Sequence, residues 1–152
     1  MERIFRINPD HFQFYLEAED ADPDFESLWD QRKIAEALAA GYGIIAVRTA
    51  RYDGETEVAL ELADSRPADS LDEWDKVMEC SIQVESGAVL LSAPEDGLYE
   101  ETRTPVPPGI YRALVYYGNL DLAPDGGAEL EGRDYYRIVL WPGPPIQPRT
   151  IK

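Results

Sequence analysis

The chain has very few of the residues on which nucleophilic catalysis most often depends. Its 152 residues include one cysteine, Cys80, and one histidine, His11. A single cysteine cannot form an intrachain disulfide, so nothing points to an oxidising compartment and we expect a cytoplasmic protein. A Ser-His or Cys-His pair would have to be built around His11, and Cys80 falls at an inward position of a strand pattern, as an inert thiol would. We therefore predict a protein that is not an enzyme.

Long apolar runs and phosphate-binding loops are also missing. The apolar run around Ile44–Val47 is far too short to cross a bilayer, and the first ten residues lack the apolar region of a signal peptide. The segment 41–43, GYG, follows a predicted helix as a turn and lacks the spacing of a phosphate cradle. The sequence predicts no cofactor and no membrane partner.

Basic residues are scarce relative to acidic ones. The chain has 30 acidic and 14 basic residues, which gives a formal net charge of −16. A field of this sign repels nucleic acid and anionic membranes and attracts basic proteins or cations. Two interpretations stay open, since the charge can serve solubility alone or can steer a basic protein partner.

What the sequence does have is alternation of apolar and polar residues. This period of two is typical of half-buried strands, and dense Gly and Pro punctuation separates the segments. We predict a mostly β fold, an antiparallel β-sandwich or open barrel of about seven to nine short strands, forming one domain over 1–152 with an extended Pro-rich tail over 142–152. The strand candidates are 11–18, 56–63, 79–87, 109–118 and 135–141, with weaker ones at Glu2–Ile7, Ile44–Thr49 and Ala88–Ser92.

Capping and turn residues predict one helix and one hairpin. One early helix is expected over 28–41, with Ser27 or Asp30 as N-cap and Gly41 at its end. The pair Ser86-Gly87 lies between two strand candidates and predicts a tight hairpin.

The acidic residues concentrate in the connections rather than in the strands. The segment 17–26, EAEDADPDFE, clusters six carboxylates, but it lacks the spacing and the turn glycine of an EF-hand, so we favour a solvated acidic loop and predict no metal site. If these loops converge, they would form an acidic face for a basic partner. The predicted partner-binding residues are Asp20, Asp22, Asp24 and Glu26, with Asp72, Glu73 and Asp75 as a second set.

Aromatic and arginine side chains share the outward positions of the last two long strands. If these strands pair, the outward residues form one surface, which either a second packing layer covers or a small ligand binds. The residues of this alternative ligand site are Arg112, Tyr116, Tyr135, Arg137 and Trp141.

Several segments together resemble a known group of proteins. They are HFQF (11–14), AEALAAGYG (35–43), VALELADSRP (58–67), WDKVMECSIQVESG (74–87), VPPGIYRALVYYG (106–118) and the YYRIVLWP strand (135–142). In order and spacing the first five segments resemble the competence-associated inhibitors of a DNA-entry nuclease. They also resemble a group of small uncharacterised bacterial β-sandwich proteins, and the YYRIVLWP strand, with its Trp-Pro ending, is more similar to that group. The resemblance implies a β-sandwich and a protein-binding role, as of an inhibitor or immunity protein towards a basic nuclease. It assigns no functional residue.

Overall fold

The chain forms two facing β-sheets, which confirms the predicted mostly β sandwich. The computed structural model describes residues 2–123 and 134–152. Within these ranges there are twelve strands, more than the predicted seven to nine because three of them have only two residues. The strands are β1 (Glu2–Ile7), β2 (Gln13–Ala18), β3 (Leu38–Gly41), β4 (Ile44–Arg48), β5 (Thr56–Leu62), β6 (Lys76–Val84), β7 (Ala88–Ala93), β8 (Gly97–Leu98), β9 (Thr104–Pro105), β10 (Gly109–Gly118), β11 (Tyr135–Pro142) and β12 (Arg149–Thr150).

The two sheets divide the strands between them. The first sheet has the order β1-β5-β11-β10-β6-β12, and the second has the order β3-β4-β2-β7-β8, with β9 also paired to β7. All pairs are antiparallel except β5 with β11. Because β6 belongs to the first sheet and β7 to the second, Ser86-Gly87 connects two sheets. The predicted hairpin is therefore wrong, although Gly87 does have a positive φ of 88°.

The core lies between the sheets and follows the predicted alternation. The buried inward residues of β10 are Tyr111, Ala113, Val115 and Tyr117, and those of β11 are Tyr136, Ile138 and Leu140. Cys80 is fully buried in this core, as predicted, and burial raises the pKa of its thiol to about 12. The Cys80 side chain therefore contributes packing as a neutral thiol.

The predicted helix is much shorter in the structure. Helix α1 covers only Gln31–Glu36, with Asp30 as its N-cap: the Asp30 carboxylate accepts a 2.8 Å hydrogen bond from the backbone N–H of Lys33. It ends because Ala37 has a left-handed φ of 64°, and Leu38 and Ala39 are buried in β3 against β4. Tertiary pairing of this segment outweighs the helix propensity of its alanines. Among the described residues, no helix has the length and hydropathy to cross a membrane.

The strand predicted over 11–18 also begins later than expected. Phe12 is not an inward strand residue, because His11 and Phe12 have φ values of 51° and 62° and form a tight turn before Gln13. Two consecutive residues other than glycine with positive φ are uncommon. The turn is closed by backbone hydrogen bonds between Asp10 and Gln13.

The outer face of the first sheet is covered over half its width. A second apolar cluster lies there, in which Trp74 and Leu71 from the connection 63–75 pack on Tyr116, Val139 and Trp141. The Pro-rich tail crosses the same face, since β12 pairs with β6 and Ile151 packs against the cluster. Among the described residues, this cluster does not extend over β1 and β5.

Candidate functional site

An acidic cleft opens where β2 and β6 end. It has a volume of about 350 Å³ and lies between the residues that follow β2, the β3–β4 turn and the residues that follow β6. Two of the predicted partner-binding residues, Asp20 and Asp22, line it together with Glu85 and the side chain of Tyr42. The structure thus brings part of the predicted set into one concave surface with an aromatic ring.

The backbone around this cleft is held at several points. The N–H of Ala18 donates to the carbonyl of Gly43, and the N–H of Glu19 donates to the carbonyl of Ala88, both at 2.9 Å. Gly43 has a φ of 68°, and a Cβ there would lie 2.6 Å from the Cβ of Ala21, so the close approach requires glycine. Asp20 itself has a left-handed φ of 63°. The acidic loop is therefore fixed by its surroundings before any partner binds.

The charges at the cleft divide into paired and unpaired carboxylates. Glu19 forms a two-pronged ion pair with Arg103, at 2.6 and 3.0 Å, and this hydrogen bonding holds the pKa of Glu19 below its ordinary value. Among the described residues, no group donates a hydrogen bond to the carboxylates of Asp20 and Asp22, although Asp20 is close enough to Arg103 to interact with it electrostatically. Tyr42 is 58% exposed, and hydrogen bonding to Glu85 raises its pKa. The cleft can therefore offer carboxylates that accept no hydrogen bond, beside an exposed ring.

The other two residues of the first predicted set lie outside the cleft. Asp24 accepts a 3.3 Å hydrogen bond from the N–H of Ser27 and caps the single 3-10 turn Phe25–Ser27, so Ser27 is not the N-cap of α1. Glu26 is exposed within that turn. Both residues follow the cleft in the same connection but do not line it.

The second predicted set is far from the first. Asp72, Glu73 and Asp75 precede β6, whereas the cleft lies where β6 ends. Eight residue steps along this strand, at about 3.3 Å each, separate the two ends by about 26 Å. Asp75 also has a structural role, because its carboxylate accepts a 2.8 Å hydrogen bond from the N–H of Leu120. The two sets therefore do not form one continuous loop cluster.

The residues of the alternative ligand site do share one face, but most of that face is covered. Tyr116 is fully buried and Trp141 is 7% exposed, under the connection 63–75 and the tail. Arg112 donates to the carbonyl of Pro144 at 2.7 Å and lies 3.2 Å from the carboxylate of Glu79. Of the two interpretations, a packing layer accounts for these three residues.

The remaining two residues of that set line a second cleft. It has a volume of about 340 Å³ and is bordered by Tyr135 and Arg137 together with Glu73 and Trp74. The Arg137 guanidinium forms ion pairs with Glu2, Glu61 and Asp69 at 3.0 to 3.1 Å. An anionic ligand would have to compete with these three carboxylates.

A third group was not predicted from the sequence. Potential ligand atoms of Asp10, His11 and Glu95 lie within 4.8 Å of one another. Asp10 is buried, and its carboxylate contacts Nδ1 of His11 at 2.7 Å and accepts a 3.0 Å hydrogen bond from the N–H of Glu95. The hydrogen bond with Asp10 raises the pKa of His11. The sequence signal was the lone histidine beside an aspartate, but Glu95 is brought in only by the fold.

Comparison with known proteins supports the fold. No family model and no curated protein matches the chain. Among solved structures, the chain is similar to ComJ from Bacillus subtilis, an inhibitor of the DNA degrading activity of NucA, with a TM-score of 0.67 and 15% identity over 93% of this chain and 96% of that one. It is also similar to the protein described as crocagin biosynthetic gene J, with a TM-score of 0.59 and 20% identity over 93% and 98%. The resemblance to the nuclease inhibitors is thus confirmed as a distant similarity of fold.

Proposed function

We propose that this chain is a non-enzymatic protein-binding module that inhibits a basic partner, such as a nuclease. The observation that carries the proposal is the similarity along almost the whole chain to ComJ, an inhibitor of the DNA degrading activity of NucA. The net charge of −16 fits the same role, because an acidic surface attracts a protein that binds phosphates. Fold similarity alone does not define function, so the proposal depends on the site described above.

The acidic cleft is the surface that we assign to the partner. Two of its carboxylates, Asp20 and Asp22, accept no hydrogen bond within the described residues and would stand where a nuclease expects phosphate groups, while Asp24 and Glu26 extend the acidic rim. Exposed Tyr42 provides an aromatic anchor of the kind that dominates many interfaces. Because the loop is already held by Arg103 and by the close approach at Gly43, little ordering would be needed on binding.

The first test is a capture experiment with matched charge reversals. The wild-type chain, the variant D20K/D22K and the control D72K/E73K are immobilised, and a lysate of the source cells is passed over each at low salt. We expect one basic protein to bind in stoichiometric amount to the wild type and to the control, and not to D20K/D22K. Adding the free chain should then inhibit the activity of that protein, which for a nuclease is measured as DNA degradation.

The kinetics of the isolated complex sharpen this test. Steering by the carboxylates of the cleft predicts that the association rate falls steeply with ionic strength and falls most in D20K/D22K. Retention of many cationic proteins in similar amounts by all three surfaces would mean that the charge serves solubility alone. A complex whose affinity is independent of salt and of these reversals would contradict the assigned cleft.

A small ligand at the second cleft is the other candidate function. The observation in its favour is a concave surface of about 340 Å³ that places the Trp74 indole beside Tyr135 and Arg137. Fluorescence titration with small carboxylates and phosphates should shift the tryptophan emission, and R137M should remove the response. An emission spectrum that no compound changes would eliminate this candidate.

A further inference from the structure

Strand β1 is an open edge of the first sheet. It pairs with β5 on one side, and among the described residues no strand pairs with its other side. Four of its six residues are exposed, and Ile4 is 61% exposed. Arg3 reaches towards the second sheet, where it donates to the carbonyls of Glu101 and Arg103. An unpaired edge that presents an apolar side chain is a template for a further strand.

The sequence of this edge, ERIFRI, complements itself. We propose that β1 pairs with β1 of a second copy, antiparallel and centred on Ile4. In this register Ile4 faces Ile4, Glu2 faces Arg6, and Arg3 faces Phe5. Each cross-strand pair is then apolar, of opposite charge, or a cation beside an aromatic ring, and these are the favourable combinations in antiparallel sheets. A twofold axis through Ile4 relates the two copies, so the Glu2–Arg6 and Arg3–Phe5 contacts are each made twice.

The neighbouring registers are less favourable. With a shift of one residue, the outward row of one copy (Glu2, Ile4 and Arg6) would share a face of the joined sheet with the inward row of the other copy. A shift of two residues in one direction places Arg3 opposite Arg3. A shift of two in the other direction places Arg6 opposite Ile4 and leaves Glu2 without an opposite charge. Only the register centred on Ile4 pairs the charges without a like-charge contact.

The local charge of β1 is less repulsive to a second copy than the net charge of the chain is. The strand carries two arginines and one glutamate, in a chain whose net charge is −16. Among the contacts of its charged ends within one copy, Arg6 forms exposed ion pairs with Glu55 and Glu57, whereas Glu2 pairs with Arg137, whose side chain is only 17% exposed. The exposed pairs of Arg6 contribute little to stability, so exchanging them for contacts across the interface is feasible. The inference does not depend on the proposed inhibitor function.

The first test measures the oligomeric state of the full chain. Sedimentation equilibrium at about 0.15 M salt, where the Debye length is about 8 Å, limits repulsion between the two acidic copies. We expect a reversible dimer, with association at least tenfold weaker in I4K, whose folding is checked by circular dichroism. A chain that stays monomeric up to millimolar concentration would overturn the proposal, and so would a dimer that I4K leaves unchanged.

The second test determines the register of the β1–β1 pair by disulfide cross-linking. Under mild oxidation I4C should form a disulfide-linked dimer, because its partner position is itself. E2C and R6C should each stay monomeric alone, since Glu2 lies about 13 Å from its own copy across the axis, but a mixture of the two should form the heterodimer. The native Cys80 is fully buried and does not interfere. Cross-linking of E2C or R6C alone as fast as of I4C would refute this register.

Discussion

Two of the carboxylates that are buried in the described part of the chain, Asp134 and Glu79, are held in different ways. Asp134 forms an ion pair with Arg51, and neither side chain has any exposed surface. Glu79, on the outer face of the first sheet, is equally buried but contacts three arginines, Arg66, Arg112 and Arg149, whose side chains are 20 to 58% exposed. In the Arg51–Asp134 pair both charges are inaccessible to water. In the Glu79 cluster, one buried anion is surrounded by cations that still reach solvent.

The difference shows what each pair does for the fold. Arg51 binds Asp134 at 2.6 Å, donates to the carbonyl of Glu55, and shares Asp134 with the hydroxyl of Tyr136, so it joins the connection before β5 to β11. Glu79 instead receives one arginine from the connection 63–75 and one from the tail, and so fixes both segments over the second apolar cluster. The first network lies inside the fold, whereas the second holds the connection 63–75 and the tail on the outer face of the first sheet.

Removing Asp134 is expected to have the largest effect. D134A leaves the Arg51 guanidinium buried without its counter-charge, which typically costs about 3 to 5 kcal/mol of unfolding free energy. Urea unfolding followed by tryptophan fluorescence measures this loss. The double variant R51M/D134L is the control, because it removes both charges and should recover much of the stability. Equal instability of the single and double variants would show that the charge left behind is not the cause.

Removing Glu79 is expected to cost less. In E79A the three arginines can turn into water, so we expect a loss of about 1 to 3 kcal/mol, the worth of charged hydrogen bonds. Burial alone would raise the pKa of Glu79, but hydrogen bonds from Arg66 and Arg149 outweigh it and hold the pKa below the ordinary value. The stability that Glu79 contributes is therefore complete above about pH 4.3 and is lost as the pH falls through its lowered pKa.

This pH dependence distinguishes the Glu79 cluster from simple packing. Unfolding free energies of wild type and E79A should differ most near neutral pH and converge in acid. A difference that stays constant down to pH 3 would show that the side chain acts by packing alone. Limited proteolysis should also cleave the tail sooner in E79A than in wild type, because Arg149 loses its partner on the sheet.

These two carboxylates also show how far the sequence determines the structure. Alternation correctly placed Tyr136 and Ile138 in the core, and the helix N-cap at Asp30 followed from local chemistry. Glu79 stands at an outward position of β6, and nothing in its own strand indicates that the tail will bury it. The Arg51–Asp134 pair joins residues 83 positions apart, which only the topology determines.

In the candidate site, too, some features are visible in the sequence and others depend on the topology. Composition located the acidic loop, because clustered carboxylates in a connection are visible in the sequence. The presence of Asp20, Asp22 and Tyr42 in one cleft depends instead on how three connections meet at one end of the sandwich. The distance between the two acidic sets likewise follows from the direction of β6, which periodicity alone does not provide.

Substitution of Asp22 is expected to have the smallest effect on stability. Its carboxylate has no hydrogen-bond partner among the described residues, so D22N should change the unfolding free energy by no more than about 0.5 kcal/mol, as is usual for surface substitutions. The urea midpoint of D22N, compared with those of D134A and E79A, measures this. A large loss would place Asp22 in the folding network and withdraw it from the partner site. A negligible loss leaves its charge free for recognition, because a carboxylate that the fold does not use can bind a partner without weakening the protein.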